Sequence, residues 1–134
     1  MDNLLSFHHI GIACRDIEKT KGLYLAMGYN EAPVIDDPVQ HVSVCFLEKD
    51  GEPRIELLSS LDENSPLSRI LSSVGVTPYH MCYEVNDMEE AIAALRARRF
   101  MLVSGPVAAC AMENRLIAFL FNKNNGLIEL VEKQ

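Results

Sequence analysis

The sequence predicts an α+β domain built from two βαβββ modules, and three observations carry that prediction. Near the end, Leu127-Ile128-Glu129-Leu130-Val131 is a near copy of Arg54-Ile55-Glu56-Leu57-Leu58 halfway along. Upstream of each copy lies a histidine in another apolar strand, His9 in Phe7-His8-His9-Ile10-Gly11-Ile12 and His80 in Tyr79-His80-Met81-Cys82-Tyr83. The halves also align residue by residue. Adding 71 to His9, Asp16 and Glu18 gives His80, Asp87 and Glu89, and adding 73 to Phe46 and Glu56 gives Phe119 and Glu129, so a two-residue insertion separates the offsets. A period this long, present twice, fits a pseudo-symmetric domain better than a solenoid. The expected domain is 1–134, with modules at about 6–59 and 77–133.

The elements follow in order. A first strand covers Ser6 to Cys14 and ends at Arg15-Asp16, where Asp16 caps a helix. That helix spans Ile17 to Met27, with Ile17, Leu23, Tyr24 and Met27 as its apolar stripe and Gly28 as its stop. A loop holding Pro33, Asp36, Asp37 and Pro38 leads to a strand near Gln40 to Glu48. The turn Lys49-Asp50-Gly51-Glu52 and the Glu56 strand complete a β-hairpin signal. Ser60 to Val76 link the modules, and Ser65-Pro66 ahead of Leu67, Ile70 and Leu71 reads as a short helix with a serine cap and proline at its first position. The second module repeats the plan. It has a strand from Tyr79 to Val85, a helix from Asp87 to Arg99, and a short strand at Phe100 to Val103 before Gly105-Pro106. Two strands, Arg115 to Phe121 and Leu127 to Glu132, close it.

Composition narrows the function. The net charge of −7 and a pI near 5.0 argue against a nucleic-acid partner, and the one basic cluster, Arg96-Arg98-Arg99, reads as a solvated helix end. The start Met1-Asp2-Asn3-Leu4-Leu5 lacks a basic leader followed by an apolar run, and no apolar stretch approaches membrane-spanning length, so a cytoplasmic protein without membrane partners is expected. Cys14, Cys45, Cys82 and Cys110 lack metal-type spacing and read as reduced core thiols, with Cys82 on the same strand face as His80.

Strand parity groups the polar residues. His9 shares a face with Phe7 and Gly11, away from Ile10 and Ile12, while Glu56 and Glu129 oppose their isoleucine and leucine neighbours and His80 opposes Met81 and Tyr83. A single strand histidine is usually a satisfied core residue, and a single strand glutamate usually faces water. Four at matching repeat positions instead form a set of two imidazoles and two carboxylates, the donors of a first-row metal shell, and pairing the modules about a pseudo-twofold axis brings them to one concave surface.

The segments His8-His9-Ile10-Gly11-Ile12-Ala13, Ile55-Glu56-Leu57-Leu58, the run from His80 to Met88, and Gly126-Leu127-Ile128-Glu129-Leu130-Val131-Glu132 resemble the vicinal oxygen chelate superfamily, the glyoxalase/bleomycin-resistance/dioxygenase group, over essentially the whole chain. The resemblance implies two paired βαβββ modules forming a cupped mixed β-sheet, the glyoxalase-like fold. It also implies a homodimer and one divalent metal ion (Co, Ni, Zn or Mn) on His9, Glu56, His80 and Glu129. Within the superfamily the linker Ser65-Pro66-Leu67-Ser68-Arg69-Ile70-Leu71 and the strand His41 to Leu47 are most similar to methylmalonyl-CoA epimerases. That likeness implies a metal-dependent epimerase abstracting an α-proton from an acyl thioester, with Glu129 and Glu56 as catalytic carboxylates. The substrate is then a small CoA or glutathione thioester. The chain departs from the pattern in lacking the carboxylate some epimerases carry on the strand His41-Val42-Ser43-Val44-Cys45. It also departs in having Ala108-Ala109-Cys110-Ala111-Met112-Glu113 where a glycine-rich loop is usual. Two other readings belong to the same superfamily: a glyoxalase I-like lactoylglutathione lyase, and a bleomycin-resistance-type protein that binds a ligand without chemistry.

Overall fold

The computed structural model describes residues 3–134, so Met1 and Asp2, and the part of the leader reading that falls on them, lie outside the described residues. The chain divides into two compact units, one of His9–Tyr79 and one of His80–Gln134 with the residues through His8.

The first unit takes β1 (Ser6–Ala13) from His9 onward, then α1 (Ile17–Ala26), β2 (Ile35–Asp37), β3 (Val42–Leu47), β4 (Ile55–Ser60) and α2 (Ser68–Ser73). The strands lie in the order β2-β3-β4-β1. β1 runs parallel to β4 with Gly11 opposite Glu56, and β3 runs antiparallel to β4 with Phe46 opposite Glu56. One sheet face carries a buried cluster of Ile12, Cys14, Cys45, Leu47, Ile55 and Leu57, against which Ile17 and Tyr24 of α1 pack. Each fully buried leucine there is worth ~1.5–3 kcal/mol relative to exposure. His9 and Glu56 have the opposite parity and point away from this cluster.

Three expectations for this unit are corrected. Asp16 does cap α1, accepting from the Lys19 amide at 3.2 Å, but Leu23 and Met27 are exposed. The packed face is Ile17, Lys21 and Tyr24, because the long alkyl stem of Lys21 covers apolar surface while its ammonium pairs with Glu31. The segment read as a loop around Asp36 and Asp37 contains β2, paired antiparallel to β3. The buried Asp37 carboxylate is satisfied by the amides of Val39 and Gln40 and by the Gln40 side chain, and the Ser43 hydroxyl donates to Asp36. The linker helix begins at Ser68, later than expected, because the Ser65 hydroxyl accepts from the Leu67 amide and closes a turn instead of capping a helix.

The second unit takes β5 (Thr77–Val85) from His80 onward, then α3 (Met88–Ala97), β6 (Met101–Ala109), a short 3₁₀ turn at Cys110–Met112, β7 (Arg115–Asn122) and β8 (Gly126–Glu132). The order is β5-β8-β7-β6. The first unit's pattern returns: β5 is parallel to β8 with Cys82 opposite Glu129, and β7 is antiparallel to β8 with Phe119 opposite Glu129. Val85, Met88, Ala91, Leu95, Ala118, Leu120, Ile128 and Leu130 form its core beneath α3. Asp87 caps that helix through the Glu90 amide at 3.0 Å, and the Glu132 carboxylate accepts from the Met88 amide at 2.9 Å. The expected short strand at Phe100 to Val103 is longer, since β6 continues through Gly105 and Pro106 with register shifts. Gly105 sits at φ +87°, and a Cβ there would lie 2.6 Å from the Ile117 carbonyl oxygen. Glycine alone permits this crossing. Cys14, Cys45 and Cys82 are buried as expected, but Cys110, in the 3₁₀ turn, is exposed.

Each unit therefore carries a βαβββ module. Among the described residues no helix is long and apolar enough to cross a membrane.

Candidate active site

In the first unit β1 and β4 place His9 and Glu56 side by side, with His9 Nε2 3.0 Å from Glu56 Oε1. Both are buried. Phe46, across from Glu56 on β3, turns its ring edge-on to the His9 imidazole at 5.2 Å. In the second unit β5 and β8 repeat the arrangement, with His80 Nε2 3.1 Å from Glu129 Oε1, and Phe119 on β7 stands edge-on to His80 at 5.5 Å. All four sequence-predicted residues thus fall into two buried pairs. The two phenylalanines were not read from sequence as site residues: the repeat pairs them, but contact with histidine depends on strand register.

An ionised carboxylate removed from water costs several kcal/mol unless positive charge meets it. Glu56 and Glu129 are only 4% and 3% exposed, and each faces an imidazole nitrogen. The 3.0 Å separation is a hydrogen bond, while the 3.1 Å approach of His80 to Glu129 is an ion-pair contact outside hydrogen-bond geometry. Both distances suit two neighbouring ligands of one ion with bonds of ~2.1 Å at a right angle, so the residues present fit a divalent metal. As a donor set, His9, Glu56, His80 and Glu129 could hold such an ion.

The remaining titratable groups of the first unit lie elsewhere. Burial, partly offset by a hydrogen bond to Thr20, pushes the Cys14 thiol above its ordinary value, and burial does the same to Cys45 beside Lys21. The imidazole of His41, at 2.9 Å, holds the Asp62 carboxyl below its ordinary value.

Residues 8–119 match the Glyoxalase/Bleomycin resistance protein/Dioxygenase superfamily. The chain belongs to this superfamily. The match includes His9, Glu56 and His80, with Glu129 beyond its end. A similar relative is the mitochondrial methylmalonyl-CoA epimerase of Homo sapiens, 30% identical over 132 residues that cover 96% of this chain and 74% of the human protein. The structure resembles that of methylmalonyl-CoA epimerase from Mycobacterium tuberculosis, with a TM-score of 0.86 and 26% identity, covering 100% of this chain and 92% of the other. It also resembles a Streptomyces coelicolor methylmalonyl-CoA epimerase variant in complex with 2-nitronate-propionyl-CoA, with a TM-score of 0.83 and 26% identity, covering 98% and 99%. The fold is the glyoxalase-like α+β fold that the family resemblance implies.

Proposed function

We propose that this superfamily member is an enzyme that epimerises acyl-CoA thioesters of the methylmalonyl type by moving the α-proton. The observation that carries the reading is the pair of buried His–Glu contacts, 3.0 Å between His9 and Glu56 and 3.1 Å between His80 and Glu129, in a chain whose relatives bear epimerase names. In this reading the four side chains together hold one divalent ion, cobalt, nickel, zinc or manganese. Such an ion, when bound, polarises the thioester carbonyl and makes the neighbouring C–H more acidic. Glu129 takes the proton from one face of the α-carbon, and Glu56 serves the other. His9 and His80 stand against the carboxylates and orient them. Phe46 and Phe119 wall the imidazoles and exclude water, which keeps the proton exchange on the carboxylates.

The test is α-proton exchange in deuterated water, with methylmalonyl-CoA against the methylglyoxal–glutathione hemithioacetal. Deuterium entering methylmalonyl-CoA supports the reading. Turnover of the glutathione adduct alone would make the protein glyoxalase I-like, and inertness toward both would leave a ligand-binding member. The same reading carries a homodimer working in the cytoplasm. A strictly monomeric mass at micromolar concentration, or recovery with membranes on fractionation, would contradict those parts.

A further inference from the structure

We infer that the cleft between α3 and β6 is where two copies of this chain meet, with their α3 helices antiparallel about a twofold axis. The inference goes beyond the homodimer named above by assigning it a surface, and it does not depend on the epimerase reading. Glu89, Ile92, Ala93 and Arg96 of α3 line this cleft together with Pro106 of β6. At helical spacing these four side chains form one stripe, with Glu89 and Arg96 ~10 Å apart along the axis. Glu89, Ala93 and Arg96 are exposed. Among the described residues neither Glu89 nor Arg96 has an ion-pair partner. The stripe is complementary to itself. A twofold axis passing between Ile92 and Ala93 sets Glu89 against Arg96 of the partner subunit and Arg96 against Glu89 of the partner subunit. It also sets Ile92 and Ala93 each against the other in the second copy. Each carboxylate then meets a guanidinium, and each large apolar side chain meets a small one, so the axes can close to the ~8–10 Å of packed helices. A parallel arrangement would set like charges together.

Acids early in a helix and bases late also suit the helix dipole. Two observations set α3 apart from that ordinary case. Its ends are already served by other groups: the carboxylates of Asp87 and Glu132 accept the amides of Glu90 and Met88, and the Asn122 side chain donates to the carbonyls of Arg98 and Arg99. The helix of the first module also does without the pattern. Adding 71 to Glu18, Lys21, Gly22 and Leu25 gives Glu89, Ile92, Ala93 and Arg96, and α1 has no basic residue in its last turn. The repeat therefore keeps the acid in both helices and supplies the matching base only in α3. The neighbouring strand favours contact through the helix as well. β6 is the outermost strand of its sheet, but its register shifts and the missing N–H of Pro106 interrupt the ladder that a second strand would need. A helix of ~15 Å covers only part of the ~800 Å² per partner that a stable interface buries. Pro106 and Val103, which is 58% exposed, extend the apolar surface along β6.

Charge reversal tests this, read as solution mass by analytical ultracentrifugation across micromolar concentrations, with circular dichroism as the check on folding. The wild type is expected at twice 15.0 kDa. By symmetry Glu89→Arg and Arg96→Glu each turn two attractive contacts into two repulsive ones, so the dissociation constant of either single variant should rise about tenfold or more. The double variant Glu89→Arg, Arg96→Glu restores the complementarity and should dimerise like the wild type. An equimolar mixture of the two single variants should form a heterodimer although neither variant pairs with itself. A monomeric wild type overturns the inference and the homodimer with it, and leaves the cleft to a different partner. A wild-type dimer that both single variants keep intact overturns this surface alone. Dimers lost in the folded single variants and recovered in neither the double variant nor the mixture overturn the twofold pairing. None of these outcomes bears on α-proton exchange, so the epimerase reading stands or falls by its own assay.

Discussion

Replacing Glu129 with glutamine separates proton transfer from every other role of that residue. The side chains are isosteric, so a glutamine oxygen can occupy the place of Glu129 Oε1, 3.1 Å from His80 Nε2. It can still ligate a metal or accept a hydrogen bond, but it cannot take up a proton at neutral pH. A positioned general base contributes ~10²- to 10⁴-fold, which is ~3–5 kcal/mol of barrier. The structural cost is smaller, since exchanging one buried polar side chain for another that keeps its contacts changes stability by ~1 kcal/mol, against a total of ~5–15 kcal/mol for a domain. Unfolding therefore cannot account for a hundredfold loss at 25 °C. The assay is deuterium uptake at the α-carbon of methylmalonyl-CoA followed by NMR, with metal content and thermal midpoint measured on the same sample. Metal retained, midpoint nearly unchanged and exchange of the epimer whose proton faces Glu129 reduced at least a hundredfold is the expected result. The companion Glu56→Gln should preserve exchange from one epimer while slowing interconversion. Near wild-type exchange of both epimers in Glu129→Gln would refute the assignment of Glu129 as base.

Four other outcomes follow from the same structure. His9→Ala should lose most bound metal while keeping the circular-dichroism spectrum of the folded protein; full occupancy would remove His9 from the ligand set. Asp87→Ala removes the side chain that accepts the Glu90 amide at 3.0 Å and should cost about 1 kcal/mol, read as a lower urea midpoint, with an unchanged midpoint counting against the cap. Cys110 is the exposed thiol among four, so one cysteine should react rapidly with a disulfide reagent in the native protein and four in urea. Burial holds the Cys14 and Cys45 thiols above 9.0, so the unfolded chain gives up those protons first. Their contribution is full below pH 9 and is lost as pH rises through the folded values, and replacing both with alanine should flatten the fall in urea midpoint between pH 8 and pH 10.

The candidate site was legible because two periodicities coincide in it. The repeat marks His9 with His80 and Glu56 with Glu129, and strand parity sets each apart from the apolar neighbours that became the cores. What was not legible depended on partners distant in sequence. β2 was hidden by Asp36, Asp37 and Pro38, which signal a loop wherever no neighbouring strand offers pairing. Its acids are accommodated only because Ser43 and Gln40 reach them. Lys21 was missed on the packed face of α1 because a charge in a helix suggests solvent, whereas here Glu31 meets it. Phe46 and Phe119 look like ordinary core residues until the register sets them beside Glu56 and Glu129.

The register also shows where the modules cease to be equivalent. The β1 residue opposite Glu56 is Gly11, and its counterpart opposite Glu129 on β5 is Cys82. Each glutamate has a phenylalanine on its other side, so the difference lies on this one flank. Glycine leaves that flank of Glu56 without a side chain, while the buried Cys82 thiol fills the corresponding place beside Glu129. Binding one ion asks only that donors match, and the repeat keeps them matched. In the proposed reaction the two carboxylates work on opposite faces of a planar carbon, and different surroundings make their two steps unequal. The Gly11–Cys82 difference supplies unequal surroundings at the point where the donors are equal. This is the physical basis for expecting Glu56→Gln and Glu129→Gln to fail in different ways.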